Sequence, residues 1–425
     1  MPISKIRTID KIPGPDLSHM ISIDRNRLLS GVDLDFNGIE TQHSTHAIHP
    51  YVAAINPPLA RTLVETYVPP GGSVLDPFCG GGGVLVETLL SGRSAAGLDI
   101  NPLAWMISSA KTTHMPYARL RSAYVDIQTT AASLPSPQSI PTDPNLSYWF
   151  TLKSIEALSV LSQAVQQITD PDMEKVFQTV LSATTRDVML TYRGEVRLRR
   201  LKPKDLERFK PDVFVSFGKR AELAIQRISD LPEGSRTDVH LANAKSISYA
   251  DDSFDAVICS PPYADDTNGV GYFQFSKYML LWLGWSNEMI ADYKRQFLGG
   301  NHRKDAVEPP PSATLVDALR VIRSRSDNHA SVVAKFYRDY LASLQEMFRV
   351  SRQWVIIVIG NRIISRTAVD NGQITFELCE SIGELHDYYT RSIRKKRIKD
   401  LGGDGGGTTG EHILIFRKNR RTNQP

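Results

Sequence analysis

The pattern of apolar and polar positions along the chain predicts a mostly parallel α/β sheet. Residues 254–258 form a short apolar run that follows a polar turn and is ended by two prolines. Such a run is typical of a buried parallel strand whose carboxyl end opens into a cleft. Residues 73–76 form a second predicted strand, which leads into four glycines and a helix starting near Gly83. A third strand at 95–99 ends in an acid, and this order of elements predicts a Rossmann-like βαβ unit.

A long insertion separates the two predicted halves of the sheet. More than a hundred residues lie between the strand at 95–99 and Asn243, far more than a crossover connection needs. Residues 151–181 carry apolar side chains at helical spacing, which predicts an inserted helical subdomain. We therefore divide the chain into an N-terminal extension, a cofactor-binding half, a helical basic insertion and a catalytic half. Their bounds are 1–42, 43–115, 116–236 and 237–425, with a candidate target-recognition segment at 297–330.

Composition narrows the class of protein. The 425 residues are 41% hydrophobic and 23% charged, which is typical of a globular protein. No apolar stretch approaches the ~18–20 residues that span a bilayer, and the N-terminus lacks the apolar core of a signal peptide. Three widely spaced cysteines form neither a disulfide framework nor a zinc spacing, so a cytoplasmic location is expected. His43, His46 and His49 are spaced three apart, but no fourth ligand is evident and no metal is predicted.

The glycine turn favours a cofactor that carries a positive charge. It has neither the dinucleotide fingerprint nor the lysine of a phosphate-binding loop, and Asp76 precedes it. A nearby carboxylate would repel pyrophosphate but would attract a sulfonium or ammonium group. S-adenosylmethionine has that cation, a ribose diol for Asp99 and a carboxylate for the helix N-terminus. The residues therefore favour this methyl donor over NAD or ATP.

The end of the strand at 254–258 predicts a site for a planar base. The prolines stiffen the segment 260–263 and hold the Ser260 hydroxyl and the Pro261 carbonyl in one orientation, and Tyr263 adds a flat face. Two acceptors can hold the hydrogens of an exocyclic amine and aim its lone pair at a methyl group. A base in a duplex must be flipped out to arrive there. The hydroxyl of Ser260 bonds equally well to cytosine and to adenine, so it does not choose between them.

The two motifs together resemble a known family. Asp-Pro-Phe-Cys-Gly-Gly-Gly-Gly at 76–83, followed by Ser-Pro-Pro-Tyr at 260–263, is similar to the amino-methyltransferases of DNA, particularly the cytosine-N4 branch. Residues 43–115 and 238–418 follow the family pattern in order. The segment with His49, Pro50 and Tyr51 resembles the one that closes over the methionine end of the donor in that family.

The resemblance implies an enzyme that transfers methyl from S-adenosylmethionine to the N4 amine of cytosine in duplex DNA. Serine in the second motif usually marks that branch, whereas aspartate or asparagine marks adenine-N6 enzymes. Adenine-N6 methylation, tRNA guanine-N2 methylation and a catalytically inactive nucleic-acid-binding fold remain alternatives. The expected catalytic residues are Ser260, Pro261, Pro262 and Tyr263; the expected cofactor-binding residues are Tyr51, Asp76, Phe78, Gly80, Gly82, Asp99 and Asn243.

Two departures from the family pattern affect the donor site. Residues 80–83 are four glycines where the family usually has Gly-Ser-Gly-Thr, so backbone N–H groups must meet the carboxylate of the donor. Asn243 stands where an aspartate commonly meets the adenine amine, and its amide oxygen is a weaker acceptor. We expect donor binding to survive both changes.

Clusters of positive charge predict contact with nucleic acid. One lies at 193–210 in the insertion, and a second at 391–399 beside Tyr388 and Tyr389. Phosphate contacts are predicted for Arg197, Arg199, Arg200, Lys202, Arg394, Lys395 and Lys396. Duplex DNA is the expected partner, a cognate restriction endonuclease is a further candidate, and no membrane partner is expected.

Overall fold

The computed structural model describes residues 28–29, 31–51, 55–134, 140–193, 198–264, 272–300, 307–393 and 410–419. In these ranges seven strands form one sheet in the order β3-β2-β1-β4-β5-β9-β8. They are β1 Ser73–Asp76, β2 Ser94–Asp99, β3 Asp238–Leu241, β4 Phe254–Cys259, β5 Ser351–Gly360, β8 Gly383–Ser392 and β9 Gly410–Lys418. The first five are parallel, whereas β9 is antiparallel to both of its neighbours. β6 Arg362–Ile364 and β7 Thr367–Val369 form a separate two-stranded hairpin.

Fourteen α-helices cover the sheet and the insertion in the described ranges. They are α1 Pro57–Tyr67, α2 Gly83–Leu90, α3 Pro102–Lys111, α4 Tyr117–Ser133, α5 Leu146–Trp149, α6 Leu152–Gln166, α7 Pro171–Val188, α8 Pro203–Arg208, α9 Val213–Ser229, α10 Tyr272–Trp282, α11 Asn287–Gln296, α12 Ala313–Arg323, α13 Asp327–Val350 and α14 Asn371–Cys379. A short 3-10 helix, Ser44–Ile48, precedes them. None of the helices in the described ranges is long and apolar enough to cross a membrane.

The strand order creates a crevice between β1 and β4. From β1 the chain proceeds outward through β2 and β3, and then returns to the other side of β1 at β4. β1 and β4 pair in parallel, with Leu75 opposite Val257. Because such a reversal leaves the carboxyl ends of the two strands without a covering connection, ligands of open α/β sheets bind there. The fold therefore places the end of the first motif beside the end of the second.

Alternating side chains of the central strands are buried against helices on both faces of the sheet. On one face Val74 of β1 and Ile258 of β4 pack with Leu63 of α1. On the other face Leu75 and Val257 pack in a cluster with the helices α12 and α13. Strands covered on both sides have near-continuous apolar sequences, which is why the run at 254–258 correctly predicted a strand.

The insertion is helical, as its apolar spacing predicts. Residues 151–181 lie in α6 and α7, each started by a capping side chain: Thr151 accepts from the Ser154 N–H, and Asp170 accepts from the N–H groups of Asp172 and Met173. The apolar faces of these helices share one buried cluster with α3 and α10. The insertion is thus continuous with the core on the β2 side of the crevice, and the proposed domain bounds stay a prediction.

Candidate active site

A cleft opens at the carboxyl ends of β1, β2 and β4. It encloses about 720 Å³ of space, including its open mouth. Seven of the predicted site residues line it: Tyr51, Phe78, Gly80, Asp99, Asn243, Ser260 and Pro262. Residues that the sequence did not indicate also line it: Pro77, Ile100, Asn101, Ala242, Ala244, Tyr272, Gln296, Phe297 and Leu298. The structure thus brings both motifs to one cleft, while Asp76, Gly82, Pro261 and Tyr263 lie outside its lining.

Asp76 lies at the end of β1 behind the cleft surface. Its side chain is buried, and one carboxylate oxygen accepts the Phe78 N–H at 3.0 Å. Burial raises the pKa of Asp76 to about 8, the Phe78 hydrogen bond opposes this rise, and the charge of Asp99 adds to it. A pKa raised this far makes the protonated form of Asp76 substantial near neutral pH, and a cation bound nearby would lower the pKa. The acid expected to face the cleft openly is instead a buried group one layer behind it.

Asp99 at the end of β2 organises the glycine turn. One oxygen accepts the Gly80 N–H at 2.8 Å and the other accepts the Asn101 N–H at 2.8 Å. Burial raises the pKa of Asp99 to about 6, although these backbone hydrogen bonds lower it. The group is mostly ionised at neutral pH, and a carboxylate has lone pairs left for two ribose hydroxyls. Its position in the cleft fits the predicted role.

The glycine turn packs closely against the side chain of Tyr51. A Cβ added to Gly81 would lie 2.7 Å from the Cβ of Tyr51, and one added to Gly80 would lie 3.2 Å from its ring. Gly82, with φ +77°, packs against the backbone of Ser108 in α3 instead of facing the cleft. The N–H groups of Gly80 and Gly82 already donate to Asp99 and to the Cys79 carbonyl. Other groups must therefore supply most of the bonds to the carboxylate of a donor.

Asn101 is a site residue that the sequence analysis did not select. Its side chain donates to the Tyr51 hydroxyl at 3.1 Å and to the Ser276 hydroxyl at 2.8 Å, while its oxygen accepts the Leu103 N–H at 3.1 Å and caps α3. The Asn-Pro pair at 101–102 is a helix-start signal, so the cap was predictable. The contact with Tyr51, fifty residues earlier in the chain, was not.

The second motif forms a polar chain at the end of β4. The Ser260 hydroxyl lies 3.2 Å from the Tyr263 hydroxyl, which donates to the Glu411 carboxylate at 2.9 Å. Burial, and then the charge of Glu411, raise the pKa of Tyr263 well above its ordinary value. Glu411 in turn pairs with Arg391, at 2.9 Å. The stacking of Tyr263 on a base stays a prediction, since its hydroxyl is directed into the protein.

Asn243 follows β3 and lines the cleft. Its oxygen accepts the Lys245 N–H at 3.0 Å, and its amide N–H donates weakly to the Gln296 carbonyl at 3.4 Å. An amide oxygen has two lone pairs, so one remains for an adenine amine. The proposed contact with the donor stays a prediction.

Two of the three spaced histidines meet a carboxylate that the sequence did not reveal. The Nε2 atoms of His43 and His46 lie 2.6 and 2.7 Å from one oxygen of Glu87, and Arg61 lies 2.8 Å from the other. Although burial alone would raise it, these hydrogen bonds hold the pKa of Glu87 below its ordinary value. His43, His46 and Glu87 could offer three ligands to a metal ion. The charge of Arg61 already neutralises the carboxylate, and the absence of a metal stays a prediction.

The structure shows where some of the predicted phosphate-binding residues of the two basic clusters lie. In the first, Arg199 lies over the ring of Tyr192 at 4.3 Å, Arg200 lies over Tyr148 at 4.2 Å, and Lys202 is exposed. Arg197, Arg394, Lys395 and Lys396 lie outside the described residues.

The prediction that the second cluster, at 391–399, is a basic surface was partly wrong. The Arg391 side chain is only 8% exposed and is paired with Glu411, so it is not a surface cation. The neighbouring Tyr388 is buried against His412, and the Tyr389 hydroxyl accepts the Leu29 N–H.

Comparison with known proteins gives independent evidence about the function of this chain. Residues 33–108 match the family described as DNA methylase. The chain is 28% identical over 423 residues to the Type II methyltransferase M.MvaI of Kocuria varians, covering 90% of this chain and 93% of that protein. A tRNA (guanine(10)-N2)-dimethyltransferase of Methanothermobacter thermautotrophicus is 44% identical over 52 residues, which are 12% of this chain and 16% of that protein.

Among solved structures, a SAM-dependent methyltransferase of Methanosarcina mazei aligns over 84% of this chain and 96% of its own with a TM-score of 0.31 and 11% identity. That score is low, so the fold assignment rests on the strand order. The nearly full-length match to M.MvaI and the DNA methylase match support the resemblance drawn from the two motifs. The methylase match also implies S-adenosylmethionine as the cofactor. The chain is thus similar to the DNA amino-methyltransferases in its two motifs, in residues 33–108 and along nearly its whole length.

Proposed function

We propose that this DNA methyltransferase transfers a methyl group from S-adenosylmethionine to the N4 amine of cytosine in duplex DNA, after the base has flipped out of the helix. The observation that carries the proposal is the meeting of two half-sites in one cleft. Asp99 ends β2, the glycine turn follows β1, and Ser260 and Pro262 follow β4; these three strands are neighbours in the sheet, and residues from all three strand ends line the cleft. A donor and a base bound there would be neighbours, which is the main requirement for a direct displacement.

The residues present fit the donor. Asp99 offers acceptors for a ribose diol, Asn243 offers an amide oxygen for an adenine amine, and the rings of Tyr51 and Phe78 supply apolar contact. Asp76 lies behind Pro77 and Phe78 as a buried acid that a positive charge would favour in its ionised form. When bound, S-adenosylmethionine supplies an electrophilic methyl group on a sulfonium.

The residues that hold the target base must activate its exocyclic amine, which is a poor nucleophile. The lone pair of an exocyclic amine is delocalised into the ring of the base. The Ser260 hydroxyl and the Pro261 carbonyl would accept its two hydrogens, draw the nitrogen toward tetrahedral geometry and stabilise the positive charge that grows on it. With the donor bound, the nitrogen would bond to the methyl carbon as the methyl–sulfur bond broke, leaving a neutral thioether, and the methylated amine would then pass its extra proton to water. No strong base is needed before the transfer.

DNA contact is proposed for the exposed part of the first basic cluster. Arg199 and Lys202 are exposed beside the half-buried Arg200, and their charges suit phosphate groups. The segment at 297–330, which includes α12, is the proposed reader of target sequence. A cognate restriction endonuclease is a further proposed partner.

Cytosine is preferred to adenine on the strength of the Ser-Pro-Pro-Tyr resemblance. The test is mass spectrometry of nucleosides from the DNA of cells that express the protein, with an empty vector as control. We expect N4-methylcytosine. Detection of N6-methyladenine without N4-methylcytosine would show that the target base is adenine and not cytosine. Methylated guanine in tRNA, together with unmodified DNA, would contradict the assignment of DNA as the substrate.

The role of Ser260 has its own test. Ser260→Ala should lower turnover roughly 10²-fold, since it removes one acceptor of the transition state, and should leave the affinity for S-adenosylmethionine unchanged. The exposed Ser248→Ala is a matched control. Equal turnover of the two variants would show that the target site has been misplaced.

A further inference from the structure

A chain of polar groups leads from the cleft into the sheet. The Ser260 hydroxyl, which lines the cleft, lies 3.2 Å from the Tyr263 hydroxyl, and Tyr263 lies 2.9 Å from one oxygen of Glu411. The other oxygen of Glu411 lies 2.9 Å from Nε of Arg391. Glu411 in β9 and Arg391 in β8 are opposite each other in the ladder. The sheet register therefore fixes the far end of the chain.

The charge at that end determines the direction of every hydrogen bond. The side chains of Arg391 and Glu411 are 8% and 15% exposed, so their ion pair is largely shielded from water. An ionised carboxylate only accepts hydrogen bonds, so the Tyr263 hydroxyl must donate its one proton to Glu411. Tyr263 can then only accept from Ser260. The single proton of Ser260 is committed to Tyr263, and only lone pairs of its oxygen remain for the cleft.

We propose that Glu411, acting through Tyr263, is a positioning residue that makes Ser260 an obligatory hydrogen-bond acceptor toward the target amine. The inference rests on the proposed function. An exocyclic amine presents N–H donors, and an acceptor that cannot turn into a donor is preorganised for the charge that develops on the nitrogen. Without Glu411, the Ser260 hydroxyl could turn its proton toward the amine and oppose the attack.

The Glu411→Gln variant tests the direction of the hydrogen bonds that link Ser260, Tyr263 and Glu411. Beside the positive charge of Arg391, the new amide favours the orientation that places its oxygen toward that cation and its NH₂ group toward Tyr263. That arrangement reverses the chain, because Tyr263 then donates to Ser260 and Ser260 directs its proton into the cleft. We expect kcat for DNA methylation to fall roughly 100-fold, with unchanged affinity for S-adenosylmethionine by calorimetry. The exposed Glu384→Gln in β8 is the matched control and should behave as the wild type.

The Tyr263→Phe background separates positioning from a general structural effect. This variant removes the link, so adding Glu411→Gln to it should cause no further fall in kcat. An equal fall in both backgrounds, wild-type turnover of Glu411→Gln, or a loss of donor affinity in parallel with kcat would each overturn the proposal. Absence of DNA methylation by the wild-type protein would instead overturn the proposed function, so the two failures are distinguishable.

Discussion

Replacing Gly81 by serine should weaken donor binding, although serine is the usual residue of the family at this place. A Cβ at position 81 would lie 2.7 Å from the Cβ of Tyr51, well inside van der Waals contact. Tyr51 would have to move away from the turn, and its hydroxyl would leave the hydrogen bond from Asn101. Overpacking of this kind costs about 1–3 kcal/mol; because the donor needs Tyr51 back in the place it occupies here, we expect binding to meet that cost, as a loss of about 5–150-fold in affinity.

The assay is isothermal titration calorimetry with S-adenosylmethionine, supported by thermal unfolding of the unliganded protein. Because the closest atom is the Cβ of Tyr51, Tyr51→Ala keeps the clash and only Tyr51→Gly removes it. We therefore expect Gly81→Ser to weaken binding in the wild type and to have little effect in a Tyr51→Gly background. Such non-additivity is the mark of residues in direct contact.

The reasoning would be refuted if Gly81→Ser bound the donor as tightly as the wild type or more tightly. That result would mean that the serine hydroxyl meets the donor carboxylate as it is expected to do in the family, and that Tyr51 yields at no cost. An equal loss in both backgrounds would show that the effect does not pass through Tyr51. Either outcome would remove the steric explanation for the run of four glycines.

Two further predictions concern buried acids. Glu87→Gln should lower the free energy of unfolding by roughly 2–3 kcal/mol, because charge-assisted bonds from His46, Arg61 and His43 lose their carboxylate; urea denaturation measures this, and the exposed Glu65→Gln should show no comparable loss. Affinity for S-adenosylmethionine should rise with pH between about 6 and 8, because burial raises the pKa of Asp99 to about 6 and that of Asp76 to about 8, and both must lose a proton to meet the donor as carboxylates. Calorimetry across this pH range should show proton release that Asp76→Asn reduces, and a flat profile would contradict it.

The elements around the cleft were predictable because their signals are local. The strand at 73–76, the glycine turn, the helix from Gly83 and the strand at 254–258 each follow from a few consecutive residues. Their meeting at one cleft followed from the rule that parallel strands present their carboxyl ends on the same side. Asp99 was predictable for the same reason, since its place at a strand end is visible in the sequence.

The supporting contacts were not predictable because they join distant segments. Glu411 lies 148 positions from Tyr263, and their contact depends on the pairing of β9 with β5 and of β5 with β4. Glu87 meets His43 and His46 only because α2 packs beside the 3-10 helix. Arg391 was assigned to a surface cluster because charge runs usually face solvent. Its pairing partner is known only from the sheet.

The proposed direction of the hydrogen bonds from Ser260 through Tyr263 to Glu411 also limits what Ser260 can recognise. Cytosine N3 and adenine N1, next to the reacting amine, are both acceptors, and a serine that only accepts cannot bond to either. Their donor must therefore be another group, and the hydrogen bonds of Ser260 would not distinguish the two bases; the preference for cytosine rests on the motif resemblance alone. Discrimination then falls to residues that measure the size of the base, for which the cleft offers Tyr272 and Phe297. Under the proposed function, the choice of base would depend on lining residues of this kind, while Ser260 would serve the chemistry that both bases share.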